Sequence, residues 1–142
     1  APLIYAMVDP DCIFCYHFFN ASRGAVKSGK LRIKWVLLGF LKSSSQARAE
    51  AILTADDPLD ALRKNYENFN AAHEEGGMPP TQHPSTKMKA LLAQHFKAMQ
   101  AVGSNGTPTL LYRGSDDKWG LHVGLPSPKW LQVYEQGKPV PD

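Results

Sequence analysis

A chain of 142 residues that is 43% apolar and 20% charged has room for one domain with a buried core and the balance of an ordinary globular protein. Its 16 basic and 13 acidic residues give a net charge of +3, and the basic ones are scattered, without the aromatic-interleaved Lys/Arg stripe of a nucleic-acid binder. No apolar run approaches the length of a membrane span, and two cysteines are too few for a disulfide scaffold or a four-sulfur zinc site.

No signal peptide is visible, since Ala1-Pro2-Leu3 leads straight into a predicted strand. Both a removed export signal and a domain cut at its boundary fit such a start. The first strand is the apolar run Leu3 to Val8, followed by an Asp9-Pro10-Asp11 turn and then Cys12-Ile13-Phe14-Cys15. The next helix carries Cys15, Phe18, Phe19, Ser22 and Val26 on one face, with Arg23 and Lys27 toward water. Ser28-Gly29-Lys30 ends it, and Leu31 to Leu38 reads as a strand whose apolar residues become continuous, as in a central buried strand.

The middle of the chain is predicted helical. The polar cluster Ser43 to Ser45 starts a helix through Ala47, Ala51, Ile52 and Leu53. Asp57-Pro58 is an N-cap followed by proline at the first helical position, with Leu59, Leu62, Tyr66 and Phe69 as the stripe to be buried. Gly76-Gly77-Met78-Pro79-Pro80 breaks the pattern. A third helix, capped by Ser85 or Thr86, presents Met88, Leu91, Leu92, His95, Phe96, Met99 and Val102 and stops at Gly103. Short strands follow at Thr109 to Tyr112 and Trp119 to Val123, with a turn at Gly114 to Asp117. A last helix, capped by Ser127-Pro128, buries Trp130, Leu131 and Tyr134 and ends at Gly137. The order βα, β, helices, ββα predicts an α/β chain with a thioredoxin-like fold, a central mixed sheet flanked by helices. Residues 1–142 form a single domain in this reading, with a helical insertion at about 43–103 after the second strand.

The two cysteines carry the chemistry. A loop of four residues stabilises little when it closes, so the pair is poorly explained as a staple. Thiol–disulfide exchange needs an attacking thiolate and a second thiol to resolve the mixed disulfide. At a helix start, free N–H groups and the dipole favour an ionised, solvent-facing Cys12, which is assigned as nucleophile; Cys15, one turn in, resolves. Asp9 and Asp11 are expected to oppose the thiolate by their charge. Ile13 and Phe14 offer no charge and tune the site through backbone geometry and packing. Pro108, at a strand start, lacks the N–H of a ladder residue.

The run Val8-Asp9-Pro10-Asp11-Cys12-Ile13-Phe14-Cys15 resembles the active-site segment of the DsbC/DsbG family of periplasmic disulfide isomerases. So do Leu37-Leu38-Gly39-Phe40-Leu41-Lys42, Ala51-Ile52-Leu53 to Asp57-Pro58, Gly106-Thr107-Pro108 and Gly124-Leu125-Pro126. The resemblance covers nearly the whole chain and is nearer DsbG in the inserted region. It implies a periplasmic thiol-disulfide oxidoreductase of the isomerase or reductase type, with no cofactor. Cys12 and Cys15 are then catalytic, and Thr107-Pro108 is a cis loop that binds substrate together with Ile13 and Phe14. The implied partners are proteins with disulfides or oxidised cysteines, and a membrane electron donor of the DsbD type. Two features depart from the family. Its members usually carry Gly-Tyr or Pro-Tyr between the cysteines, and their N-terminal dimerisation domain and linker helix are absent here, so a dimer is expected only through that region.

Alternatives from other classes are a Cu(I)-handling module on Cys12, Cys15 and His17, since soft thiolates suit Cu(I), and a redox-inert thioredoxin-like binding domain. His17 is more simply a half-exposed helix residue, and no metal site is expected. His95 and Met99 read as core. His73, Glu74, Glu75 and His83 read as a solvated loop, and Trp35, Trp119 and Trp130 as packing residues.

Overall fold

The computed structural model describes residues 1–114 and 116–141. Its elements are β1 (Leu3–Val8), α1 (Ile13–Lys27), β2 (Arg32–Leu37), α2 (Ser45–Leu53), α3 (Pro58–Glu67), α4 (Thr86–Ala101), β3 (Thr109–Arg113), β4 (Trp119–Val123) and α5 (Pro128–Glu135). Of the turn expected at Gly114 to Asp117, Ser115 lies outside the described residues; Asp117 N–H donates to the Gly114 carbonyl at 2.9 Å.

The strands form one mixed sheet in the order β2-β1-β3-β4. β1 runs parallel to β2, Leu3 opposite Arg32 and Val8 opposite Leu37, and antiparallel to β3, which is antiparallel to β4. β1 and β3 are therefore the inner strands and β2 an edge. The sequence expectation of a central β2 fails because continuous apolarity near Leu37 and Leu38 reports cover from above: Leu38 packs with Met7 and Met99, whereas Ile33 and Trp35 stay half-buried.

Strand alternation sorts β1 between two apolar layers. Ile4, Ala6 and Val8 join Phe18 and Phe19 of α1, Leu110 of β3 and Trp130, Leu131 and Tyr134 of α5 in the main core. Met7 points the other way, toward Leu38 and Met99 of α4. Tyr134 ties the two ends of the chain together, its hydroxyl donating to the Leu3 carbonyl at 2.6 Å and accepting the Arg113 amide at 3.2 Å.

Capping follows the sequence signals. Asp57, Ser85 and Ser127 accept the amides of Asp60, Met88 and Trp130 at α3, α4 and α5. Several apolar positions depart from the predicted stripes. Leu59 is 63% exposed and Val26 also lies on the surface; they line a groove of about 300 Å³ between α1 and α3 with Trp35, which leaves both without a covering element. Val102 is exposed because it sits past the last turn of α4 as its C-cap. Trp119 is exposed on the edge strand β4, its ring tilted against Tyr5 and under the Arg113 guanidinium. Arg23, expected in water, lies over Phe19 and pairs with Glu67.

The segment between α3 and α4 folds back over the start of α1. Gly76 is buried there. A Cβ at that position would lie 2.1 Å from Asn65 Oδ1 and 2.6 Å from the Pro10 carbonyl. Gly76→Ala is expected to destabilise the fold by roughly 1–3 kcal/mol. A shift in urea midpoint checks this, and an unchanged midpoint would mean that the segment yields freely.

Candidate active site

The Cys12 turn is set by β1 ending and α1 beginning within four residues. Cys12 is the N-cap of α1: its backbone is extended, its carbonyl accepts the Tyr16 amide, and its Sγ accepts the Cys15 N–H at 3.3 Å. A sulfur thus fills the place of the usual Ser or Asp oxygen at a helix start. Both cysteines are free thiols. Across from them the Thr107-Pro108 bond is cis, and the Thr107 carbonyl lies 3.6 Å from Cys12 Sγ, within reach of its S–H.

Electrostatics separate the two thiols. The Cys15 thiol, hydrogen-bonded to Cys12 Sγ, is the largest influence on Cys12. Burial opposes it, the Cys15 and Phe14 amides support it, and the Cys12 thiol falls to about 7. Burial pushes Cys15 well above the ordinary thiol range, and the neighbouring Cys12 sulfur adds to this. With both thiols reduced, alkylation by iodoacetamide is expected to rise with pH through a midpoint near 7 at Cys12, the rate following the thiolate fraction, while Cys15 stays unmodified. A Cys12 midpoint at the free-thiol value of about 8.5 would show that the N-cap position does not act on the sulfur.

The sequence expectation that Cys12 faces solvent is corrected: the residue is 3% exposed, its sulfur lying between the α1 amides and the Thr107 carbonyl. Phe14 stands out at 55% exposed, Ile13 and Thr107 are half-buried, and Pro108 is buried. The site therefore meets solvent through Phe14, Ile13 and Thr107 around a recessed sulfur. His17 is exposed beside Tyr16 and joins no cluster; among the described residues, no group of three or more His, Cys, Asp or Glu side chains is arranged to hold a metal.

Asp9 and Asp11 are not free charges opposing the thiolate. Both are fully buried and occupied. Asp9 accepts the Asp11 amide through Oδ1 and the Phe40 and Leu41 amides through Oδ2, which pins the β2–α2 loop to the Cys12 turn. Asp11 Oδ1 accepts Arg48 Nε at 2.8 Å and the Gly76 amide at 2.9 Å; Oδ2 accepts the Ser44 hydroxyl at 2.8 Å. The Asp9 carbonyl accepts the Tyr66 hydroxyl, and the Pro10 carbonyl the Asn65 amide, both at 3.0 Å. Arg48 also donates to the Met78 carbonyl. Sequence reasoning missed this floor of Ser44, Ser45, Arg48, Asn65, Tyr66 and Gly76. One signal was available: Ser45, Arg48, Ala49 and Ile52 share a helical face, and an arginine in a buried stripe requires an anion.

Comparison with known proteins adds to this geometry. The chain is 30% identical to the thiol:disulfide interchange protein DsbG of Escherichia coli over 131 residues, 92% of this chain and 51% of that protein. It is 28% identical to DsbG of Pseudomonas aeruginosa over 133 residues, 91% of this chain and 49% of that one. A periplasmic thioredoxin-like protein from Salmonella enterica serovar Typhimurium superposes with a TM-score of 0.73 at 16% identity, covering 95% of this chain and 82% of its own. The chain is a DsbG-like thioredoxin-fold protein. No protein-family model matches it. It spans about half the length of its curated DsbG relatives, and the DsbG-like stretch includes the Cys-x-x-Cys turn, the cis loop and the helices between β2 and β3. Among the described residues, no helix is long and apolar enough to cross a membrane.

Proposed function

We propose that this DsbG-like domain is a thiol-disulfide oxidoreductase acting on protein disulfides or oxidised protein thiols. The observation that carries the reading is the pairing of a low-pKa N-cap thiol at Cys12, about 7, with a buried high-pKa thiol one turn later. The Cys12 thiolate attacks a substrate disulfide sulfur; an S–S bond forms to Cys12 and the departing substrate sulfur takes up a proton. Cys15 then loses its proton and attacks the Cys12 sulfur, releasing the second substrate thiol and leaving a Cys12–Cys15 disulfide. The substrate has gained two electrons. In the isomerase course a second substrate thiol loses its proton and attacks the substrate sulfur of the mixed disulfide instead, forming a new substrate disulfide and expelling Cys12 as thiolate with no net electron transfer. Ile13, Phe14, Thr107 and Pro108 form the substrate-contacting rim in this reading.

Turnover as a reductase requires a dithiol donor, and a membrane donor of the DsbD type in the periplasm matches the DsbG likeness. Dimerisation belongs, in this reading, to the half of the DsbG relatives that this chain does not span. Insulin reduction by the reduced protein tests the proposal, with the equilibrium potential against glutathione to set direction. A value near roughly −120 mV marks an oxidant and one near roughly −270 mV a reductant. Failure to accelerate insulin reduction or to refold scrambled disulfides would overturn it.

A further inference from the structure

Two ionised carboxylates do not satisfy the hydrogen count beneath the Cys12 turn. Ser45 Oγ accepts the Lys42 amide at 2.9 Å and lies 2.8 Å from Asp9 Oδ1 and 2.9 Å from Asp11 Oδ2. A hydroxyl has one hydrogen to donate. With both carboxyls ionised, one oxygen would face the serine oxygen with no hydrogen between them. All three residues are fully buried.

The missing hydrogen belongs on Asp9. Asp11 faces the Arg48 guanidinium, the Gly76 amide and the Ser44 hydroxyl, whereas Asp9 receives only neutral amides. Burial pushes the Asp9 carboxyl up against those amide bonds; at Asp11 burial is outweighed by the Gly76 amide, the two serine hydroxyls and Arg48, and the carboxyl sits low.

We propose that Asp9, Ser45 and Asp11 share one proton, Asp9 as the acid and Asp11 as the carboxylate, and that this chain is the positioning element of the Cys12 turn. Asp9 Oδ1–H donates to Ser45 Oγ, and Ser45 O–H donates to Asp11 Oδ2. The floor then holds one negative charge against Arg48. The other titratable groups facing it are Tyr66 from α3, held as phenol by burial, and the Cys12 and Cys15 thiols of α1. Loss of the Asp9 proton would place an uncompensated charge in the turn whose carbonyl accepts the Cys12 amide at 3.2 Å, and would disfavour the thiolate. The positioning role rests on the exchange reading; the proton count does not.

Side-chain ¹³C NMR titration of the aspartates in the reduced full chain reads the proton directly. At pH 5, above the ordinary carboxylate value of about 3.9, Asp9 is expected to remain protonated and Asp11 ionised. In Ser45→Ala both midpoints move, and the Cys12 thiol rises by about half a pKa unit, read as an about threefold slower iodoacetamide reaction at pH 6. Both carboxyls ionised at pH 5 in the wild type would overturn the shared proton, whether or not the variant folds. A Ser45→Ala alkylation profile superimposable on wild type would overturn the positioning role. A protein that meets both expectations yet reduces no insulin defeats the exchange reading and leaves the proton network standing.

Discussion

Cys12→Ser is expected to lower insulin reduction by at least about a thousandfold, to the uncatalysed rate, because a serine hydroxyl at this position is un-ionised and cannot displace a sulfur. The N-cap geometry itself tolerates the change, since serine is a preferred cap and its Oγ can accept the Cys15 amide as Cys12 Sγ does. Folding is therefore expected to survive, and the loss is chemical. Cys15→Ser separates the two roles: attack remains, resolution does not, and a covalent Cys12–substrate adduct accumulates, visible by intact mass under non-reducing conditions. Activity persisting in Cys12→Ser would remove Cys12 from the mechanism; an adduct on Cys15 in the wild type would reverse the assignment.

Arg48→Ala carries the largest expected cost in stability. It removes the guanidinium from Asp11 and also strips a donor from the Met78 carbonyl, in a place closed to water. Breaking a buried pair by deleting one partner typically costs about 3–5 kcal/mol, because the remaining charge is left uncompensated. Chemical denaturation measures this as a lowered midpoint with an unchanged slope. The pH dependence has a defined sign. Asp11 is held below its ordinary range, so its contribution to stability is present above the unfolded carboxylate value and lost as pH falls through the folded one. Arg48→Ala weakens that hold, so the variant's deficit is expected to shrink in acid. A deficit below about 1 kcal/mol at neutral pH would place the pair among weak surface bridges.

Both effects converge on one turn. The Cys12–Cys15 pair follows a strand end that is held from below by α2, α3 and the Gly76 segment, all of which lie between β2 and β3. The helices inserted into the sheet order thus supply the donors for the backbone and carboxyls around Cys12. The DsbG-like stretch spans these elements together with the cysteines.

Local chemistry made much of this legible in the amino-acid order. The apolar run Leu3 to Val8, the Asp57-Pro58 and Ser127-Pro128 caps and the Cys12–Cys15 spacing each act within a few residues, and each produced its element or thiol geometry near the expected place. What depended on distant partners was not legible. β2 lies at the edge because, among the described residues, β1 is its one strand neighbour, and Leu59 stays in water because nothing packs over α3 there. The recess of Cys12 comes from Thr107, 95 residues away in the chain, and the neutralisation of Asp11 from Arg48, 37 away. Short-range periodicity and capping are written in neighbouring side chains, whereas burial and charge compensation exist only once remote segments meet.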